Sequence, residues 1–105
     1  MGSLSPALAQ DTLPETVRVA QAAFKAASLE QRSERAVELS AAYRAAEMQD
    51  SARAVADRAL AYARNDRQRA RAHFAIARVL KKEQDHPGAQ EHARESIVLA
   101  RAAKD

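Results

Sequence analysis

The sequence predicts an all-α domain, and two observations carry that prediction. Glycine occurs only at positions 2 and 88 and proline only at 6, 14 and 87, whereas folds built of strands and turns need such residues often. Alanine supplies most of the 47% hydrophobic content, and aromatic residues make up only 4%. Because alanine has the highest helix propensity and aromatic and β-branched residues favour strands, we expect helices along nearly the whole chain.

The length of 105 residues leaves room for one hydrophobic core, and we assign residues 12–105 to a single helical domain. Residues 1–11 show no helical pattern of apolar side chains and are predicted to form a disordered tail or an expression remnant. Within the tail, Ala7-Leu8-Ala9 resembles a signal-peptidase site, but no hydrophobic segment precedes it. The compartment stays open, with the cytoplasm favoured over a periplasmic or secreted location.

The first of five predicted helices begins at a capping box and ends near Leu29. Thr12 is placed to accept from the amide of Glu15, and Pro14 is tolerated in the opening turn. The apolar face of this helix repeats at helical spacing and consists of Val17, Ala20, Phe24 and Ala27.

The other four helices follow from spacing and from turn signals. The second ends near Glu47, and Asp50 and Ser51 are predicted to cap the third. Asp66 is predicted to cap a fourth helix over 67–84, and Pro87 suits the first turn of a fifth. Because the connections are short, neighbouring helices are expected to form antiparallel hairpins.

An internal repeat of 37 residues relates the two predicted hairpins. Small and apolar residues recur at this offset in the second helix of each pair, and the matched positions are Ala52 and Ala89, Ala56 and Ala93, Ala59 and Ser96, Leu60 and Ile97, and Ala63 and Ala100. The same offset matches Leu39 with Ile76 and Tyr43 with Leu80 in the first helices. The repeating unit is therefore a whole helical hairpin.

With these positions, the chain over residues 33–103 resembles the tetratricopeptide repeat family. Two sets of residues carry the resemblance, namely Leu39, Ser40, Tyr43, Ala52, Ala56 and Ala59, and then Ile76, Ala77, Leu80, Ala89, Ala93 and Ser96. The resemblance implies about two and a half repeats, stacked as a short solenoid of antiparallel hairpins. An unrelated five-helix bundle would show similar spacing and stays open as an alternative.

Charge is concentrated in the middle of the chain. Residues 51–82 contain nine basic and two acidic residues, whereas the rest of the chain carries a net charge of −4. On the fourth helix, basic residues recur at spacings of three and four around one aromatic residue, forming a stripe of Arg67, Arg71, Phe74, Arg78, Lys81 and Lys82. This pattern favours an acidic partner or a nucleic acid.

The resemblance places part of this stripe in a groove, because the first helix of each tetratricopeptide pair lines the concave face that receives a peptide. The implied groove residues are Glu34, Val37, Ala41, Arg44, Arg71, Phe74, Arg78, Lys81 and Lys82. We therefore predict a protein-interaction module that binds an acidic or extended segment of a partner protein. The predicted partner-binding residues are Arg44, Arg71, Phe74, Arg78, Lys81 and Lys82.

Three other interpretations stay open. The terminal helices lack strongly polar capping faces, so self-association or a place within a longer repeat protein is the main alternative. Nucleic-acid binding is disfavoured because the chain has only two Phe and two Tyr and no recognition-helix motif. The basic stripe is also compatible with a plain solvated helix face.

Catalysis, cofactors and metals are not expected. The absence of cysteine removes thiol chemistry, and two glycines provide no phosphate-cradling loop. Glu83 and His86 have the spacing of a di-iron ligand pair but stand at a helix end before Pro87, while His92 falls on another face. We expect His73 at a helix contact. Charged residues interrupt every helix-length window, so no membrane span is predicted.

Overall fold

The computed structural model describes residues 13–104 as helices joined by short turns. The described helices are α1 (Glu15–Ala26), α2 (Arg32–Ala45), α3 (Gln49–Tyr62), α4 (Asp66–Lys82) and α5 (His86–Lys104). The all-α prediction is confirmed, since residues 13–104 contain no strand. The predicted tail at 1–11, its signal-peptidase resemblance and the predicted Thr12 cap lie outside the described residues.

Consecutive helices pack side by side, and one further contact joins helices that are not consecutive. The pairs α2–α3 and α4–α5 form the two most extensive contacts, α3 packs on α4, and α1 packs on α2. In addition, α2 packs directly against α4. The first helices of the two hairpins are therefore neighbours, and α5 contacts only α4 among the described helices.

The core consists of small residues on one helix facing larger residues on the next. Ala52 and Ala56 of α3 pack in one cluster with Ile76, Val79 and Leu80 of α4. A second cluster joins α2, α3 and α4, with the buried members Ala36, Leu39, Val55, Ala59 and Ala72. Because alanine side chains are short, the helix axes approach closely and the larger side chains fill the remaining space.

Serine hydroxyls join the helices of each hairpin at positions related by the repeat, with Ser33 buried and Ser96 partly buried. In the first hairpin, Ser33 Oγ donates to the Ala59 carbonyl at 2.8 Å. In the second hairpin, Ser96 Oγ donates to the Ala70 carbonyl at 2.7 Å. An offset of 37 residues carries Ser33 onto Ala70 and Ala59 onto Ser96, so the two hairpins make the same contact with the donor exchanged. Each hydroxyl is satisfied where the two backbones lie close together.

The turns that close the two hairpins are also equivalent at 37 residues. Glu47 (φ 62°) and Gln84 (φ 66°) are the non-glycine residues with positive φ among residues 13–104. Each is followed by an amide that bonds back over the helix end, Met48 N to Tyr43 O and, in the second turn, Asp85 N to Leu80 O, both at 2.9 Å. This is the Schellman arrangement, in which the left-handed residue ends the helix and satisfies its last carbonyls.

Replacing Gln84 by glycine is expected to raise the free energy of unfolding by about 0.5 to 1 kcal/mol. A residue with a Cβ pays a steric cost in the left-handed region that glycine avoids, and this gain exceeds the extra chain entropy of glycine. Urea unfolding followed by circular dichroism measures the change. The control is Gln90→Gly in the exposed interior of α5, where the same substitution should lower stability by about 0.5 to 1 kcal/mol. A loss of stability in both variants would contradict the expectation.

Two predicted helix caps are wrong. Asn65, not Asp66, caps α4: its side chain accepts from the Gln68 amide at 2.8 Å. Asp66 lies in the first turn and bonds Arg69 instead. The cap position of α3 is Met48, because the Schellman turn leads straight into that helix, which places Asp50 and Ser51 within its first turn. Pro87 lies in the first turn of α5, as predicted.

Helix ends also differ from the predicted bounds by a few residues. The first helix ends at Ala26 rather than near Leu29, because Ala27 takes an extended backbone conformation. The following turn is tied to the second hairpin by the side-chain amide of Gln68, which donates to the Glu30 carbonyl at 2.9 Å. This long-range bond fixes the start of α4 against the start of α2.

Candidate functional site

An open cleft of about 360 Å³ lies where α2, α4 and α5 meet. Arg44 enters it from α2, while Arg71, Phe74 and Arg78 enter it from α4. The floor and the opposite wall are formed by small and apolar residues, namely Val37, Ala41, Ala70, Ala75, Ser96 and Ala100. We call this surface the arginine cleft. It unites four of the six predicted partner-binding residues.

The packing of α4 explains why these side chains point into the cleft. Ala72, Ile76 and Val79 face the core, which leaves the residues at 71, 74 and 78 on the opposite side of the helix. The direct contact between α2 and α4 then brings Arg44 to the same surface. Arg44 and the basic stripe of α4, which are distant in the sequence, therefore converge through packing between the first helices of the hairpins.

Phe74 is 51% exposed, which is unusual for a large aromatic side chain in a small domain. The guanidinium of Arg78, one turn later, lies 5.7 Å from the centre of its ring. This distance is within the range of a cation–π contact. The contact holds the charge of Arg78 beside the ring of Phe74. The cleft therefore offers a charged contact and an apolar contact at adjacent positions.

No carboxylate lines the arginine cleft among the residues that the structure describes. The contrast with other arginines of the chain is clear, since four of them form ion pairs at 2.8 to 3.3 Å, namely Arg18 with Glu15, Arg35 with Glu38, Arg53 with Asp57, and Arg69 with Asp66. Burial, and secondly the charge of Arg78, lower the pKa of Arg44. The cleft thus holds positive charges that repel one another, and no acidic residue of the range 13–104 lines it as a counter-ion.

The two predicted lysines lie beyond the arginine cleft. Lys81 lines an adjoining cleft of about 490 Å³ between α4 and α5, which shares Phe74 and Arg78 with the first. Lys82 points toward the turn after α2, where its Nζ lies 3.3 Å from the Glu47 carboxylate. Lys81 therefore extends the cationic surface, whereas Lys82 is set apart from the three arginines and has its own acidic partner.

No family model matches this chain, and neither a curated protein nor a solved structure does. The geometry of the cleft is therefore the basis on which a function is inferred.

Sequence reasoning missed the contribution of α5 to the arginine cleft. Ser96 and Ala100 form part of its wall, and the hydrogen bond from Ser96 to the Ala70 carbonyl anchors them there. The resemblance assigns the groove to the first helices of the hairpins alone. The internal repeat is the sequence signal for this contact. The offset of 37 residues makes Ala70 and Ser96 equivalent to Ser33 and Ala59, which lie on the two helices of the first hairpin.

Residues 13–104 carry few features of other kinds of site. No three His, Cys, Asp or Glu side chains stand close enough together in this range to hold a metal ion. Of the helices that the structure describes, none has both the length and the apolar character needed to cross a bilayer. His73 does lie at a helix contact, against His92 of α5.

Proposed function

We propose that this chain is a protein-interaction module of the tetratricopeptide type, and that the arginine cleft binds an acidic segment of a partner protein. One observation carries the proposal: Arg44, Arg71 and Arg78 converge on an apolar floor with no carboxylate in the lining. Surface arginines with no such arrangement usually carry no specific role. Convergence from two helices distinguishes this cleft from a plain solvated helix face.

Carboxylates are the chemistry that these arginines fit best. A guanidinium presents a planar fork of donors, and a carboxylate accepts two of them at once. Because burial and the neighbouring charge of Arg78 disfavour the cationic form of Arg44, a bound anion would remove part of that cost. A few such contacts, with an apolar side chain on Phe74, are enough for a micromolar complex of about 8 kcal/mol.

The tetratricopeptide assignment is supported by the contacts that recur at 37 residues. The Schellman turns at Glu47 and Gln84 and the exchanged serine bonds of the two hairpins relate one helix pair to the next. The contact between α2 and α4 is the one that a stack of hairpins requires, and these two helices supply the charged residues of the cleft. The groove beside the adjacent first helices, α2 and α4, suits an extended peptide segment.

A nucleic acid is the weaker ligand for this surface. Single-stranded nucleic acids bind to grooves in which several aromatic side chains stack on successive bases. Phe74 is the aromatic residue that lines the arginine cleft, and the other described Phe, Phe24, packs against Tyr62 with ring centres 6.1 Å apart. The cleft also has an apolar floor, which an extended peptide contacts better than a phosphate backbone does.

The test of the proposed function is a selection from a random peptide library displayed on phage, with the purified domain as bait. We expect the recovered peptides to be enriched in Asp and Glu around one apolar residue, because the cleft combines arginines with Phe74. A bait carrying Arg71→Glu and Arg78→Glu should lose that enrichment. Recovery of the same peptides by both baits would contradict the proposal.

Binding of the recovered peptides should weaken as salt is added. Raising NaCl from 50 to 500 mM is expected to lower the affinity about tenfold or more, because the Debye length falls from roughly 14 Å to about 4 Å and weakens the pairing of exposed charges. Fluorescence anisotropy of labelled peptide measures the change. Peptides with Gln and Asn in place of Glu and Asp are the control and should bind weakly at both concentrations. An affinity of the acidic peptides that is insensitive to salt would count against charge pairing.

Self-association is the second candidate function, and one observation favours it. Ile97 and Val98 of α5 are 52% and 58% exposed, on a helix that contacts only α4 among the described helices. Association through this apolar surface would depend on concentration and hardly on salt. Sedimentation velocity separates the two functions, since peptide recognition by the arginine cleft needs no second copy.

A further inference from the structure

Two histidines meet across the contact between α4 and α5. Nδ1 of His73 lies 2.9 Å from Nδ1 of His92, and the ring centres are 5.1 Å apart. Both side chains are partly buried, with His73 on α4 and His92 on α5. The distance is that of a hydrogen bond, so one ring donates through Nδ1–H and the other accepts at a bare Nδ1.

This bond exists only while at least one of the rings is neutral at Nδ1. When both rings are protonated, both nitrogens carry hydrogens and neither accepts. Two positive charges then stand at hydrogen-bond distance in a partly buried place, where they repel more strongly than in water. The contact changes from attractive to repulsive within the pH range in which histidine titrates.

The charged groups around His73 favour the neutral form on balance. Burial, and secondly the charge of His92, lower the pKa of His73, while Glu95 raises it. Both of these groups belong to α5, and no charged group of α2 or α3 is among those that shift this pKa in the described chain. On α4 itself, Arg69 lies one turn before His73 and bonds Asp66 at 2.8 Å.

The contact of α5 with α4 is extensive, but α4 is the one described helix that α5 contacts. None of the residues of α5 is fully buried, and Ile97 and Val98 remain exposed on its outer side. The cross-helix hydrogen bonds of its described residues are the His73–His92 bond and the bond from Ser96 to Ala70. Because α5 packs on one helix only and buries none of its side chains fully, its local opening costs less free energy than global unfolding, and a repulsive pair at the contact lowers that cost further.

We propose that the His73–His92 pair is a proton-sensitive latch, which holds α5 on α4 near neutral pH and releases it when both rings are protonated. Release removes Ser96 and Ala100 from the wall of the arginine cleft. The latch depends only on the contact between α4 and α5, and it stands whether or not the cleft binds an acidic segment.

The sign of the effect follows from proton binding. A histidine whose pKa is lower in the folded chain binds fewer protons there than in the open chain. The stabilisation is therefore complete above the unperturbed value of about 6.5, and it is lost progressively as the pH falls below that value. Acidification from pH 7.5 to pH 5.0 spans most of this window.

Hydrogen–deuterium exchange with peptide-level mass spectrometry tests the latch. After correction for intrinsic exchange rates, we expect the protection of the amides of α5 to fall about tenfold or more between pH 7.5 and 5.0. The protection of α2 and α3 should change less. An equal change in all helices, or none in α5, would overturn the proposal.

Asparagine variants separate the pair from other histidine effects. Asn places an amide group where Nδ1 lies and does not titrate, so His73→Asn should make α5 protection nearly independent of pH. His92→Asn should reduce the pH dependence without abolishing it, because burial still lowers the pKa of His73 in that variant. His86→Asn is the control, because His86 is exposed at the start of α5, and its pH dependence should match the unmodified chain. Circular dichroism at pH 7.5 verifies folding. A pH dependence that is undiminished in either pair variant would refute the latch.

Discussion

Replacing Arg44, Arg71 and Arg78 together by glutamine is expected to weaken binding of the selected acidic peptides about 100-fold or more. Hydrogen bonds to charged groups contribute about 1.5 to 3 kcal/mol each, and a 100-fold loss requires only about 2.7 kcal/mol in total. Glutamine keeps a polar, uncharged amide on a shorter side chain and removes the charge and the fork of donors. Isothermal titration calorimetry measures the change.

The matched control carries the same change in net charge at three arginines outside the clefts, as Arg58→Gln, Arg94→Gln and Arg101→Gln. Its affinity should stay within about threefold of the unmodified domain, because exposed charges that do not line the cleft act on the peptide only through a field that salt screens. The cleft variant should unfold at no lower urea concentration than the unmodified domain, since it relieves repulsion between Arg44 and Arg78. Equal losses in the two triple variants would mean that only overall charge matters.

Replacing Ile76 by alanine is expected to lower the free energy of unfolding by about 3 to 4 kcal/mol. The side chain is 2% exposed and packs in the core cluster with Ala52, Ala56 and Val79. Truncation removes its transfer free energy and leaves a cavity that short alanine neighbours fill poorly. Because domains of this size have total stabilities of about 5 to 15 kcal/mol, the loss is a large fraction of the whole.

The control for this truncation is the same substitution on the outer face of α5. Ile97 is 52% exposed, and Ile97→Ala should cost less than about 1 kcal/mol. Urea unfolding of both variants, followed by circular dichroism at 222 nm, gives the two values. Similar losses in the two variants would contradict the packing described here, in which Ile76 is a core residue and Ile97 is not.

Local sequence signals were sufficient for most of the helices. Alanine at helical spacing and the scarcity of glycine and proline predict all five helices. The offset of 37 residues predicts that α3 and α5 are equivalent helices of successive hairpins. The first residue of each helix is harder to predict from the sequence. Asn65 and Asp66 are both good caps, and the choice between them depends on the bond that Gln68 makes to the distant Glu30 carbonyl.

The candidate site was predicted only in part, because it depends on how helices pack. The stripe of Arg71, Phe74 and Arg78 follows from helical spacing within one segment. The placement of Lys82 beside Glu47 and the entry of α5 into the cleft depend on contacts between distant segments. The meeting of His73 and His92 depends likewise on the register of α5 against α4, which no residue of either helix specifies alone.

The most direct test of the proposed cleft is a ¹H–¹⁵N NMR titration of the domain with the peptide most enriched in the selection. We expect the largest shift changes at the backbone amides of Ala41, Phe74 and Ala75 and at the side-chain Nε groups of Arg44, Arg71 and Arg78. Shift changes centred on Ile97 and Val98, or spread evenly over the basic residues of the surface, would contradict it.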